Sequence, residues 1–179
     1  LALVEWYKPA ATILRHNARL RPGLWHEQDV HEQDVRVWLR ETSIKPGDVD
    51  LVAGGPPCQP FSLAGVHAGD EDDRNMFPAA LDAVRKFKPK FVIFENVPGL
   101  TRPSFLPYFS YIKHQLQKPT VKVKGDELWT EHDERIQAAR TRGLRYHVYQ
   151  HLLDAADFGL PQNRRRVFLV AVRSDLRGA

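Results

Sequence analysis

The chain predicts an α/β fold built around a mainly parallel sheet. Three observations carry that prediction. Short apolar runs at residues 49–53, 91–94 and 167–172 have the length and composition of strands. Segments of helical composition separate the strand candidates along the chain. The first two runs each end on polar, chemistry-bearing residues, at the strand end where open α/β sheets bind ligands.

Residues 1–4, Leu1-Ala2-Leu3-Val4, read as the end of a strand, followed by Glu5 and Trp6. Residues 9–20 have helical composition, and Arg21-Pro22-Gly23 ends them. Residues 26–35 are the pentapeptide His-Glu-Gln-Asp-Val written twice. Five residues are too few for a solenoid unit, so the repeat reads as a local duplication in a loop. Its histidines stand five apart rather than four, so they do not share a helical face as a zinc-protease motif requires. A short helix near residues 37–42 precedes the turn Lys45-Pro46-Gly47-Asp48.

The strand at 49–53 runs into Gly54-Gly55-Pro56-Pro57-Cys58-Gln59-Pro60-Phe61-Ser62, where Gly and Pro force a tight turn. Asp70 to Asp73 reads as a solvated acidic turn, because it lacks the ligand spacing of a calcium loop. Residues 78–87 have helical periodicity with Pro78 in the first turn. The run 91–94 is a buried-type strand, and 104–117 a helix. Residues 118–145 are polar and read as an insertion or loop, helical around 131–140, with a flexible basic surface loop at 118–124. Residues 146–152 alternate as a half-buried strand does.

At 179 residues, 42% of them hydrophobic and 27% charged, the chain suits one globular domain rather than a disordered segment. No apolar run reaches the roughly 18 residues of a membrane span, and no signal-peptide pattern is present. A net charge of +4 permits a polyanionic partner without requiring one. Cys58 is the only cysteine, so it forms no internal disulfide and supports no Cys-rich zinc site. An unpartnered thiol suits a reducing compartment, and a cytoplasmic location is expected. Its strand-turn context leaves two readings open, a nucleophile or a small buried filler.

Further segments separate those readings. Glu95-Asn96-Val97 follows the strand at 91–94, and Gln162-Asn163-Arg164-Arg165-Arg166 precedes the one at 167–172. Pro-Pro-Cys-Gln-Pro-Phe-Ser, Glu-Asn-Val and Gln-Asn-Arg-Arg-Arg, in this order, resemble the DNA (cytosine-5) methyltransferase family from Val4 to about Arg173. The resemblance implies a Rossmann-like methyltransferase domain, S-adenosylmethionine as methyl donor and double-stranded DNA as substrate, with neither metal nor membrane involved. In a bacterium the enzyme would be nucleoid-associated and part of restriction–modification.

Carbon 5 of cytosine is a poor nucleophile until a thiolate adds to carbon 6, which turns the ring into an enamine. Cys58 is the candidate nucleophile, and since a free thiol is only about 3% ionised at neutral pH, its site is expected to favour the thiolate. Glu95 is the candidate acid at ring nitrogen 3, expected in a low-dielectric pocket. The resemblance assigns Asn96 and Val97 to support of the loop around Glu95. It assigns Arg164 and Arg166 to the cytosine carbonyl and DNA phosphate, with Gln59, Ser62 and Gln162 as further substrate support. Arg165, between the two arginines, is expected on the opposite face. Glu5 is placed for the ribose hydroxyls and Trp6 for stacking on adenine. Asp34, rather than its repeat partner Asp29, matches the residue that contacts the adenine amino group, with Val35 and Pro57 lining the same cofactor site.

The family's Gly-rich cofactor loop would lie before Leu1, and its target-recognition region and closing motifs after Arg173. The sequence is therefore expected to be a partial catalytic domain, a truncated piece or one half of a split enzyme completed by a second chain, and inactive alone. The missing opening loop favours truncation. An RNA (tRNA) cytosine methyltransferase and a non-catalytic DNA-binding remnant are the alternatives. A thymidylate-synthase-like reading is opposed by the segments around Glu95 and Arg164.

Overall fold

The computed structural model describes residues 1–57 and 75–176. Cys58, Gln59 and Ser62, together with the acidic stretch at 70–73, lie outside the described residues. The elements run β1 (Leu3–Val4), α1 (Lys8–Leu20), β2 (Val30–His31), α2 (Val35–Glu41), β3 (Leu51–Gly54), α3 (Phe77–Phe87), β4 (Phe91–Asn96), α4 (Leu106–Gln117), α5 (Trp129–Ala138), β5 (Tyr146–Asp154) and β6 (Arg165–Arg173). By packing they form two units, Leu1–Ser43 and Ile44–Ala179.

In the first unit β1 and β2 pair in parallel, Leu3 opposite Val30 and Val4 opposite His31. The duplicated pentapeptide is not a plain loop. Its first copy forms a 3-10 turn at Glu27–Asp29 and then enters β2 at Val30, with Asp29 accepting the backbone N–H of His26 at 2.7 Å. The second copy leaves β2 at His31, and its Asp34 caps α2 by accepting the backbone N–H of Arg36 at 2.7 Å. Both aspartates thus satisfy N–H groups that a helix start leaves orphaned. The two glutamates pair with arginines one turn apart on α1: Glu32 with Arg15 at 2.6 Å, and Glu27 with Arg19 through both oxygens. A repeat of five residues meets a helical spacing of four.

In the second unit the strand order is β3-β4-β6-β5. The α/β class holds, with parallel pairing at β1–β2 and β3–β4, while β4–β6 and β6–β5 are antiparallel. Alternate residues face a single core. Val92 and Phe94 of β4, Val167, Leu169 and Ala171 of β6 and Tyr146 of β5 pack with Phe77, Leu81 and Val84 of α3 and Phe109, Ile112 and Leu116 of α4. The run at 91–94 reads in sequence as fully buried, but only one face is covered. Leu51, Phe91, Tyr149 and Leu153, on the other face, are all exposed.

α3 buries Phe77, Leu81 and Val84 at helical spacing, starts with Pro in its first turn and stops where Lys88 turns left-handed (φ 51°) before Pro89. The polar region after α4 is tied down rather than free. α5 buries His132 and Ile136, Glu127 grips Arg135 with both oxygens at 2.6 Å, and Lys118 Nζ donates to the carbonyls of Ile136, Gln137 and Ala139. Lys118 therefore neutralises the carbonyl end of α5, where a cation is favoured, instead of sitting in a mobile basic loop. Among the described residues no helix is long and apolar enough to cross a membrane, and no group of three or more His, Cys, Asp or Glu could hold a metal ion.

Candidate active site

Because β3 and β4 run parallel, with Gly54 opposite Phe94, their carboxyl ends lie side by side. Gly55-Pro56-Pro57 leave β3 next to Glu95-Asn96-Val97 at the end of β4. The two ends touch: a Cβ on Gly55 would lie 3.2 Å from Oε2 of Glu95, so glycine makes room for the carboxylate. Asn96 Nδ2 donates to the carbonyl of Pro56 at 2.8 Å, and its Oδ1 accepts the N–H of Val97 at 2.9 Å. The carbonyl of Pro57 accepts the N–H of Met76 at 3.1 Å. Pro57 and Met76 are thus held side by side.

The antiparallel register completes the cluster. Glu95 stands opposite Phe168, so Arg166, two residues back on β6, shares its face as a diagonal neighbour. Arg166 Nε meets Glu95 Oε1 at 2.8 Å, and Arg166 Nη1 donates to the carbonyl of Arg165 at 2.7 Å. Sequence alone suggested a low-dielectric pocket for Glu95. In the structure its side chain is 36% exposed and that of Arg166 24%, so the guanidinium rather than burial dominates its surroundings. Arg165 falls on the opposite face, in register with Asp154.

Arg164 lies just outside β6. Its N–H donates to Asp154 Oδ1 at 2.9 Å and its carbonyl accepts from Ala155, closing the base of the β5–β6 hairpin. It forms no ion pair or side-chain hydrogen bond with Glu95 among the described residues. Gln162 is exposed in the same hairpin, its N–H donating to the carbonyl of Leu160. The structure therefore brings together Glu95, Asn96, Val97, Pro57 and Arg166, and leaves Arg164 and Gln162 on the hairpin beside them.

The residues matched to a cofactor lie in the first unit. Glu5 donates its backbone N–H to the carbonyl of His31, and its Oε1 accepts the N–H of Tyr7 at 2.7 Å. Its second oxygen has no partner among the described residues. Trp6 is 75% exposed, which excludes core packing as its role among the described residues. Asp34 is more committed than its sequence suggests. Beyond capping α2, both its oxygens bond the Arg36 guanidinium, which holds its pKa below the usual carboxylate value. Val35 is the first residue of α2. Neither the close approach of Gly55 to Glu95 nor the diagonal Glu95–Arg166 pair is legible without the strand register.

The model of the C-5 cytosine-specific DNA methylase family matches residues 1–128 and 130–178. The chain belongs to that family. This methylase chain is 37% identical over 148 residues to the type II methyltransferase M.AquIA of Picosynechococcus sp., covering 82% of this chain and 53% of the relative. It is 35% identical over 175 residues to the type II methyltransferase M.NgoMIV of Neisseria gonorrhoeae, covering 98% and 45%. The methylase chain thus spans about half the length of these curated relatives. Among solved structures, a DNMT2 mutant from Spodoptera frugiperda aligns with TM-score 0.52 at 20% identity, covering 98% of this chain and 43% of that one. The Dnmt2 methyltransferase of S. pombe aligns with TM-score 0.51 at 14% identity, covering 96% and 41%. At such identities these two likenesses establish the fold alone.

Proposed function

We propose that this chain supplies the catalytic part of a methylase that transfers a methyl group from S-adenosylmethionine to carbon 5 of cytosine in double-stranded DNA, through a covalent adduct on Cys58. The observation that supports this reading most is the Glu95–Arg166 pair beside the strand end that leads into Cys58.

A cytosine stacked in a duplex cannot reach such a site, so the target base is extruded. The Cys58 thiolate adds to carbon 6, and the displaced π electrons make carbon 5 nucleophilic as charge moves toward nitrogen 3. Glu95 serves nitrogen 3, stabilising that charge with a proton shared along the hydrogen bond. After the methyl group joins carbon 5, the carbon 5 proton leaves to water and the carbon–sulfur bond breaks, which regenerates the thiolate. Arg166 orients Glu95, and its Nη2, without a partner among the described residues, is suited to the cytosine carbonyl. Arg164 and the exposed hairpin with Gln162 are suited to phosphate. Gln59, Ser62 and Val97 are assigned to the walls around the base.

Glu5 and Trp6 fit the cofactor, since one carboxylate oxygen and an indole face are open to a ribose diol and an adenine ring. When bound, S-adenosylmethionine supplies an electrophilic methyl group. Asp34 fits only if Arg36 yields part of its hold, and Val35 and Pro57 complete the assigned set. The apolar sheet face carrying Leu51, Phe91, Tyr149 and Leu153 is suited to cover by further methylase polypeptide, on the same chain or a second one. Full activity and reading of the target sequence accordingly need that additional part. The type II designation of the relatives supports a role in restriction–modification, with the enzyme cytoplasmic and, in a bacterium, nucleoid-associated.

Tritium transfer from labelled S-adenosylmethionine to duplex DNA tests the reading, with this chain alone and with a methylase extended to the relatives' length. Transfer is expected from the extended protein and little from the chain alone. Duplex DNA containing 5-fluorocytosine is expected to trap the extended protein at Cys58; an adduct that survives Cys58→Ser removes the mechanism.

A further inference from the structure

Two carboxylates of the first unit follow its paired strands, Glu5 after β1 and Asp34 after β2. They are not equally open. Glu5 gives Oε1 to the N–H of Tyr7 and keeps its second oxygen without a partner among the described residues. Asp34 keeps nothing back. Its Oδ1 accepts the backbone N–H of Arg36 at 2.7 Å and the Nε–H at 3.1 Å, while its Oδ2 accepts from Nη2 at 2.6 Å and from Nε at 3.1 Å. A carboxylate accepts at about four places, two on each oxygen, so the Arg36 contacts fill it. Capping α2 does not require this, because the backbone bond alone caps the helix. The side chains of the pair are 44% and 33% exposed, so the guanidinium is held by a screened bond that opens at small cost. Arg40, one turn further along α2, also acts on Asp34 and lowers its pKa, so the carboxylate stays charged when Arg36 lets go.

We infer that Arg36 is a latch on the base end of the cofactor site: its guanidinium fills the Asp34 carboxylate that an adenine amino group would bond, and the cofactor has to displace it. This latch rests on the reading of Asp34 as the adenine contact and adds a residue which that reading does not contain. The ribose hydroxyls meet an oxygen already open on Glu5, whereas the adenine amino group meets a carboxylate already filled. An exocyclic amine donates, so it competes with the guanidinium for the same lone pairs. A hypoxanthine base carries a carbonyl oxygen at that position. The oxygen accepts, so the Arg36 fork serves such a base instead of obstructing it. Arg36 thus weakens adenine binding and blunts the choice between the two bases. Its backbone N–H caps α2 whatever its side chain, so the latch acts on binding and not on the fold.

The experiment measures binding of S-adenosylhomocysteine and its hypoxanthine counterpart, S-inosylhomocysteine, by calorimetry. The proteins are a methylase extended to the relatives' length and its Arg36→Ala and Arg36→Lys variants, with thermal unfolding verifying that each is folded. Arg36→Ala is expected to bind S-adenosylhomocysteine about two- to fivefold more tightly, the equivalent of one exposed ion pair. Its affinity for S-inosylhomocysteine is expected not to rise. Arg36→Lys keeps the charge without the fork and should lie between native and alanine. Raising the salt screens the pair, so the native protein should gain affinity for S-adenosylhomocysteine and not for S-inosylhomocysteine; this arm needs no variant. Equal affinity of native and Arg36→Ala for S-adenosylhomocysteine, weaker binding by the variant, or an equal gain on both bases would overturn the latch and leave the cofactor reading intact. If none of the proteins binds either compound, the cofactor reading falls and takes the latch with it.

Discussion

Glu95 and Arg166 are diagonal neighbours on β4 and β6, and their 2.8 Å ion pair stands at the strand end that leads into the Cys58 segment. The pair is partly open to solvent, so it contributes little to stability, about 1 kcal/mol or less. Its value is geometric. Arg166→Ala is expected to lower methyl transfer by about 100-fold or more while the unfolding midpoint hardly moves. Arg166→Lys keeps the charge but not the planar fork, and should recover only part of the loss. Single-turnover tritium transfer by the extended methylase, beside thermal unfolding, checks both. Native turnover in Arg166→Ala would remove Arg166 from the site.

Gly55→Ala probes the same carboxylate from the other side. The added Cβ would sit 3.2 Å from Glu95 Oε2, tighter than an ordinary contact but against the movable end of a side chain. The carboxylate gives way by rotating, so stability is expected to fall by only about 1 kcal/mol. Rotation also strains the bond to Arg166. The expected signature is a turnover rate reduced about tenfold with DNA affinity unchanged. A loss confined to DNA affinity would show that the contact does not position Glu95.

Asn96→Ala removes both the donor to Pro56 and the acceptor for Val97. The expected cost is about 1–2 kcal/mol, measured as a lowered urea midpoint at constant slope. Asn96→Asp keeps only the acceptor and should lie between native and alanine. If both variants match the native protein, the bond to Pro56 is not a structural tie.

Much of this architecture is legible in the residues themselves. Alternation marks β5, and Pro78 followed by helical spacing marks α3, because period and capping chemistry are local. What sequence reasoning misses depends on neighbours distant in the chain. The two copies of His-Glu-Gln-Asp-Val adopt different structures because the first ends in β2 at Val30 and the second ends in α2 at Val35. The antiparallel turn of β5 and β6 did have a signal, since residues 155–164 are too few for a parallel crossover. Lys118 gave none, for its role exists only once α4 lies beside α5. Cys58, Glu95 and Arg166 are proposed from the resemblance, whereas the ion pair and the closeness of Gly55 needed the register.

His132 predicts how the second unit responds to acid. The ring is fully buried, with Nε2 2.9 Å from the carbonyl of Val121 and Nδ1 2.7 Å from the Tyr111 hydroxyl. A carbonyl only accepts, so Nε2 carries the proton and Nδ1 accepts from Tyr111; the neutral ring satisfies both contacts. Burial lowers the pKa of His132 below the ordinary imidazole value. A folded-state pKa below the unfolded one stabilises the fold fully above the unfolded value, near 6.5, and that stability is lost as pH falls from there toward the lowered folded value. The slope of unfolding free energy from this ring is at most about 1.4 kcal/mol per pH unit. Glu127, held at about 2 by Arg135, adds a second loss as pH falls from its ordinary value near 4.5 toward about 2. Urea unfolding at a series of pH values should therefore show two acid-sensitive windows. His132→Leu should flatten only the upper one and Glu127→Gln only the lower. An upper window that persists in a folded His132→Leu would assign it to another group.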